Sequence, residues 1–137
     1  MQEKLNSLEY YKKLHPKSLG LEWVQREIFP LIDAYNYNIK DVLRTYTDHA
    51  AWAISQSLKK NKSVLITGGG VYNSYLISKI KSYKEINIII PDKKLIEFKE
   101  ALIFSLLGLL RLENKINCLK SVTGALKNHS SGVIFMP

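Results

Sequence analysis

The residues best placed to do chemistry lie between Val64 and Ser74, a stretch that reads VLITGGGVYNS. Val64-Leu65-Ile66-Thr67 is a short apolar, β-branched run and reads as a buried strand. Gly68, Gly69 and Gly70 follow, and a helix is predicted from about Asn73 to Tyr83 with Leu76, Ile77 and Ile80 turned inward. A strand that opens into a helix through glycines suits a phosphate or a ribose. The glycines adopt backbone angles closed to other residues and let a ligand come close. The helix behind them presents unbonded N–H groups and the positive end of its dipole. In open α/β sheets ligands gather at the carboxyl ends of the strands, where this turn lies. The pattern is neither GxGxxG nor a Walker loop, since no Gly-Lys-Ser/Thr follows the glycines. On the local sequence alone, a ligand site and a tight turn without a ligand stand equal.

Two carboxylates share the predicted last helix. Glu97 has Lys93 and Lys94 one turn before it, the setting of a solvated face with modest ion pairing. Glu100 has Ile96 one turn before and Ile103 and Phe104 one turn after, so it is expected on the core side. A carboxylate buried there needs donors or a ligand. That makes Glu100 the better functional candidate, against the plainer reading of a boundary carboxylate paired with an N–H or a lysine. His49 borders an apolar helix stripe and reads as a hydrogen-bonded packing residue rather than a catalytic one. Cys118 is the single cysteine, which excludes an internal disulfide. It has no histidine near it at zinc-ligand spacing.

The elements that must position these residues follow from periodicity. The chain has 137 residues, 46% of them hydrophobic, which suits one compact domain. Residues 1–17 are polar and read as an entry segment. Ser18 is a helix start signal, with Leu21, Val24, Ile28, Leu31 and Tyr35 at helical spacing; Pro30 should kink or split that helix near Phe29. Asn38 caps the next helix, whose apolar stripe runs Ile39, Val42, Leu43, Tyr46, Ala50, Ala53, Ile54 and Leu58. Asn87–Ile90 is a second buried strand, stopped by Pro91. The last long helix is predicted from near Lys93 to about Leu112, charged in its first half and apolar all round in its second, as in a helix that enters a core. Ser121–Ala125 reads as a loop, and Gly132–Pro137 as a final short strand. Strand, helix, strand, helix implies parallel strands joined by a crossover, and hence an α/β fold.

A formal charge of +8 raises the prior for an anionic partner. The lysines fall as doublets at element ends, without an arginine-rich run or interleaved aromatics, so nucleic acid is a weak reading. The apolar run Ala101–Leu110 is too short for a membrane span, which takes about 20 residues. With no signal-peptide pattern at the start, a cytoplasmic setting is expected.

Four segments together resemble the C-terminal part of the anhydro-N-acetylmuramic acid kinases. They are Pro16-Lys17-Ser18-Leu19-Gly20-Leu21-Glu22-Trp23, Ile66–Asn73, Lys99–Leu107 and Ser121–Ala125, in the family's order and with similar spacing. The resemblance implies a ribonuclease-H-like (actin-like ATPase) domain with a βαβ core and several packed helices. It also implies one part of a two-domain kinase that cleaves the 1,6-anhydro bond of anhydro-N-acetylmuramic acid and phosphorylates O6, with ATP and Mg2+. By the same resemblance Gly68, Gly69, Gly70 and Asn73 lie against ATP, and Glu100 lies near the sugar. The family's first phosphate-binding glycine motif and its catalytic aspartate have no counterpart: no GxxxDG-like segment is present, and Asp33, Asp41, Asp48 and Asp92 fall in helix or turn contexts. The chain is therefore expected to be one part of a longer kinase and inactive alone. The alternatives are a non-enzymatic interaction module that keeps the fold and offers its open face to a partner or to self-association as a homodimer, and a small basic nucleic-acid-binding protein.

Overall fold

A computed structural model describes residues 1–14 and 17–135. The chain divides into two compact units, Met1–Pro91 and Asp92–Pro137.

The first unit opens with two short helices, α1 (Gln2–Asn6) and α2 (Glu9–Lys12). The expected polar entry segment is thus partly ordered into the core. Leu5 is fully buried, and α1 packs on the long helix α5. The next helix begins at α3 (Leu21–Trp23) behind Gly20, two residues later than a Ser18 cap would place it, and no side chain caps it. The chain then loosens into a π-helical turn, Val24–Ile28, before resuming as α4 (Phe29–Asp33). The expected disturbance at Pro30 takes this form. The wider turn accommodates a ring that has no N–H to donate and crowds the carbonyl one turn back.

Helix α5 (Ile39–Gln56) starts where predicted, with Asn38 Oδ1 accepting the Lys40 N–H at 2.9 Å. Its buried face differs from the predicted stripe. Ile39 and Leu43 are 72% and 61% exposed, whereas His49, Ala51 and Ser55 are buried. Helix α6 (Ser74–Tyr83) packs on α5 and places Ile77 and Ile80 in the core, whereas His49 is covered by Asn6 and Tyr11. Strands β1 (Ser63–Leu65) and β2 (Asn87–Ile89) pair in parallel, with Val64 opposite Ile88 and Leu65 opposite Ile89. The β1–α6–β2 unit is thus the parallel crossover expected. The strands are not fully buried, however. Val64 and Ile88 are half-buried, while Leu65 and Ile89 on the other face are 59% and 46% exposed. A two-stranded sheet covered on one side leaves its alternate residues open.

His49 ties this unit together. Its Nε2 accepts from the Tyr11 hydroxyl at 2.8 Å, and its Nδ1–H donates to Asn6 Oδ1 at 2.7 Å. Both ring nitrogens are therefore satisfied by the neutral tautomer. Burial holds the imidazole below its ordinary value. Burial, then the neighbouring Tyr46 and Tyr10, pushes the Tyr11 hydroxyl up to about 12. In the unfolded chain His49 takes up a proton as pH falls below its ordinary 6.5, while the native ring resists. Stability should be complete above that value and should fall below it, by at most about 1.4 kcal/mol per pH unit for one proton. Urea unfolding at several pH values checks this, with a His49→Gln chain showing a shallower decline.

In the second unit α7 (Lys93–Leu112) matches its predicted span, with Asp92 Oδ1 accepting the Leu95 N–H at 2.9 Å. The expectation that its second half enters a core is not met. Only Ile96 is buried, and Leu102, Phe104 and Leu106 are 62%, 69% and 55% exposed. The predicted loop at Ser121–Ala125 holds a short helix, α8 (Lys120–Thr123), ended by Gly124 at φ 73°. Residues 132–135 form no strand, and the end of that expected strand lies outside the described residues. Asn117 instead fastens the tail: its Nδ2 donates to the Leu107 and Ser131 carbonyls at 3.2 and 3.0 Å, and its Oδ1 accepts from Ser131 N–H. Cys118 is a half-buried free thiol beside an antiparallel bridge to His129.

Candidate functional site

The sheet delivers the chain to the glycines. The ladder runs one residue past β1, where Ile66 N–H donates to the Ile89 carbonyl at 3.0 Å. Gly68 then turns at φ 89° and ψ 168°, a conformation that only glycine adopts at low cost. A single 3-10 turn, Gly69–Tyr72, leads to Asn73, held by Val71 N–H to Gly68 O at 3.0 Å and Asn73 N–H to Gly70 O at 3.1 Å. Asn73 Oδ1 accepts the Leu76 N–H at 3.0 Å and so caps α6.

Three observations mark this turn. Gly69 and Gly70 are exposed, and among the described residues neither N–H donates a hydrogen bond. A Cβ built on Gly69 meets no atom within 4 Å, and Gly69 has no positive φ. The chain's own packing and backbone therefore give no reason for glycine there. Finally, Thr67 Oγ1 and Tyr75 Oη, on either side of the turn, are sealed from solvent without a hydrogen-bond partner among the described residues. Orphan buried polar atoms are uncommon and call for an explanation.

Beside the turn lies an open cleft of about 370 Å³, lined by Leu43, Arg44 and Thr47 of α5 and by Asn73 and Tyr75. Sequence reasoning singled out Asn73 and missed the others. Arg44 and Thr47 are one helical turn apart on α5, a spacing visible in the sequence once α5 is placed against α6.

Glu100 departs from its expectation. It is exposed, as are Ile103 and Phe104 one turn on, at 44% and 69%. The apolar neighbours that suggested a core setting are themselves uncovered, so burial gives Glu100 no need of a partner. Glu97 pairs with Lys93 at 3.6 Å as expected. Among the described residues no group of three His, Cys, Asp or Glu side chains gathers as a metal site, and no helix is long and apolar enough to cross a membrane.

A parallel βαβ unit with a glycine turn at the strand's carboxyl end places the chain among α/β proteins. The family model for anhydro-N-acetylmuramic acid kinase matches residues 1–137, and the chain belongs to that family. It is similar to the anhydro-N-acetylmuramic acid kinase of a Sulfurovum species, 33% identical over 134 residues, covering 93% of this chain and 36% of the relative. The Francisella tularensis subsp. novicida kinase is 32% identical over 141 residues, covering 91% and 35%. That of Vibrio vulnificus is 29% identical over 143 residues, covering 96% and 39%. The chain thus spans a little over a third of the length of the curated relatives it matches.

Proposed function

We propose that the chain forms the C-terminal, nucleotide-binding part of a kinase that opens the 1,6-anhydro bond of anhydro-N-acetylmuramic acid and phosphorylates O6, a step in peptidoglycan recycling. The carrying observation is the glycine turn, with two uncommitted N–H groups and a glycine at 69 that the chain's own fold does not require. Such a surface fits a phosphate chain: a backbone without a Cβ lets the oxygens approach, and the N–H groups and the α6 dipole complement their charge. Gly68, Gly69 and Gly70 would hold ATP phosphates. Asn73, its Oδ1 engaged in the cap, would act by fixing the start of α6. ATP would bring the transferable phosphoryl group and its Mg2+; none of the residues here is assigned to the metal. The ribonuclease-H-like fold and a cytoplasmic setting belong to the same proposal.

Glu100 is assigned to the sugar on the family resemblance alone. In a two-domain kinase, phosphoryl transfer needs positioning and charge from both sides of a cleft. The chain carries one side and no counterpart of the catalytic aspartate. Purified alone, it should release no ADP above background from ATP and anhydro-N-acetylmuramic acid; sugar-dependent ADP release by this chain would overturn the assignment. The second reading, an interaction module, is favoured by one observation: Leu65, Tyr72 and Ile89 leave apolar surface open around the turn, 59%, 57% and 46% exposed. Concentration-dependent dimerisation without any ATP binding would favour it.

A further inference from the structure

A cleft in the first unit shares no lining residue with the one beside the glycine turn. Its volume is about 610 Å³, within the range of small-molecule sites. Its walls are aromatic. Tyr11 stands at the centre, edge-on to Tyr10, Trp23 and Trp52 at centroid distances of 5.4, 6.3 and 5.6 Å. Its hydroxyl is tied to buried His49, so this ring is fixed in place. Rings packed edge-to-face normally close a core. Here Tyr10, Tyr11, Trp23 and Trp52 all remain half-exposed and leave open space between them.

The charge of the lining is one-sided. Lys12 and Lys17 line the cleft, and among the described residues no aspartate or glutamate does. Lys17 Nζ donates to the Tyr10 carbonyl at 3.2 Å and sits 4.9 Å from the centroid of the Tyr10 ring. An ammonium is thereby held against the aromatic wall, with N–H donors left over.

We propose that this cleft binds a small aromatic carboxylate of one or two fused rings, stacked on the tryptophans with its carboxylate on Lys17. Flat rings match the aromatic walls, and the anionic group answers the two ammoniums. This site is separate from the glycine turn and does not depend on the kinase reading.

The chain has two tryptophans and both line the cleft, so two indole N–H signals in a 15N-correlated NMR spectrum report on it directly. The probes are 2-naphthoate, its neutral carboxamide and inorganic phosphate. Both indole signals should shift saturably with 2-naphthoate, with half-saturation below about 1 mM. Phosphate should leave them unmoved. Lys17→Met should weaken 2-naphthoate about fivefold and leave the carboxamide unchanged. Gly69→Asp should change neither. No indole shift up to about 5 mM 2-naphthoate would overturn the site. Equal affinity for acid and carboxamide, unaffected by Lys17→Met, would overturn the assignment of an anion.

Discussion

An Asp48→Ala chain is expected to lose about 3 kcal/mol of unfolding free energy, on the scale of hydrogen bonds to charged groups in partly buried sites. Asp48 sits on α5 with its side chain 14% exposed, and Lys79 Nζ of α6 lies 2.9 Å from its Oδ1. Its Oδ2 accepts from Gln2 Nε2 of α1 and from the Tyr83 hydroxyl of α6, each at 2.8 Å. One carboxylate therefore joins three helices. Burial pushes its pKa up, but hydrogen bonds from Lys79, Tyr83 and Gln2 outweigh that and hold the carboxyl below its ordinary value. Alanine would remove the acceptor and leave the Lys79 ammonium without its carboxylate. Asp48→Asn keeps an acceptor for one donor and should lose about half as much. Because the native carboxyl titrates below its ordinary 3.8, its contribution is complete above that pH and disappears as pH falls through the lower native value. That window lies below the one assigned to His49. Urea unfolding followed by circular dichroism separates the two. An Asp48→Ala chain as stable as the parent would show that the three-helix junction carries no weight.

The second large effect is on ligand binding. Gly69→Asp should weaken ATP about tenfold or more while leaving the melting temperature nearly unchanged. A Cβ at position 69 meets nothing within 4 Å. The fold should accept the side chain, and the added carboxylate would repel phosphate oxygens at the helix start. Gly68→Ala is the contrasting variant. Its φ of 89° strains any side chain although the space around it is open, so it should lower stability, by about 1–3 kcal/mol. A binding defect in Gly69→Asp without a stability defect points to the ligand; a defect in both would point to the turn as part of the fold.

Much of the architecture was legible because its signals are local. Asn38 caps its helix as its residue type suggested, and the apolar β-branched runs before Gly68 and Pro91 became the paired strands. The glycine turn, too, formed where the residue types placed it. Burial was less legible, because it depends on what covers a surface. Ile39 and Leu43 read as core and lie open, while Ser55 is buried and His49 is buried beneath Asn6 and Tyr11, which are distant in sequence. Glu100 shows the same failure: its apolar neighbours implied a core, yet Ile103 and Phe104 are themselves exposed. Asp48 read as an unremarkable helix residue because Gln2, Lys79 and Tyr83 are distant in sequence.

The central claim is that the turn at Gly68–Gly70 receives the phosphates of ATP. Calorimetric titration of ATP into the purified 137-residue chain and its Gly69→Asp variant, in buffer with magnesium, tests it most directly. Saturable binding by the parent, lost in the folded variant, is the predicted result. Identical titrations of the two chains would contradict it.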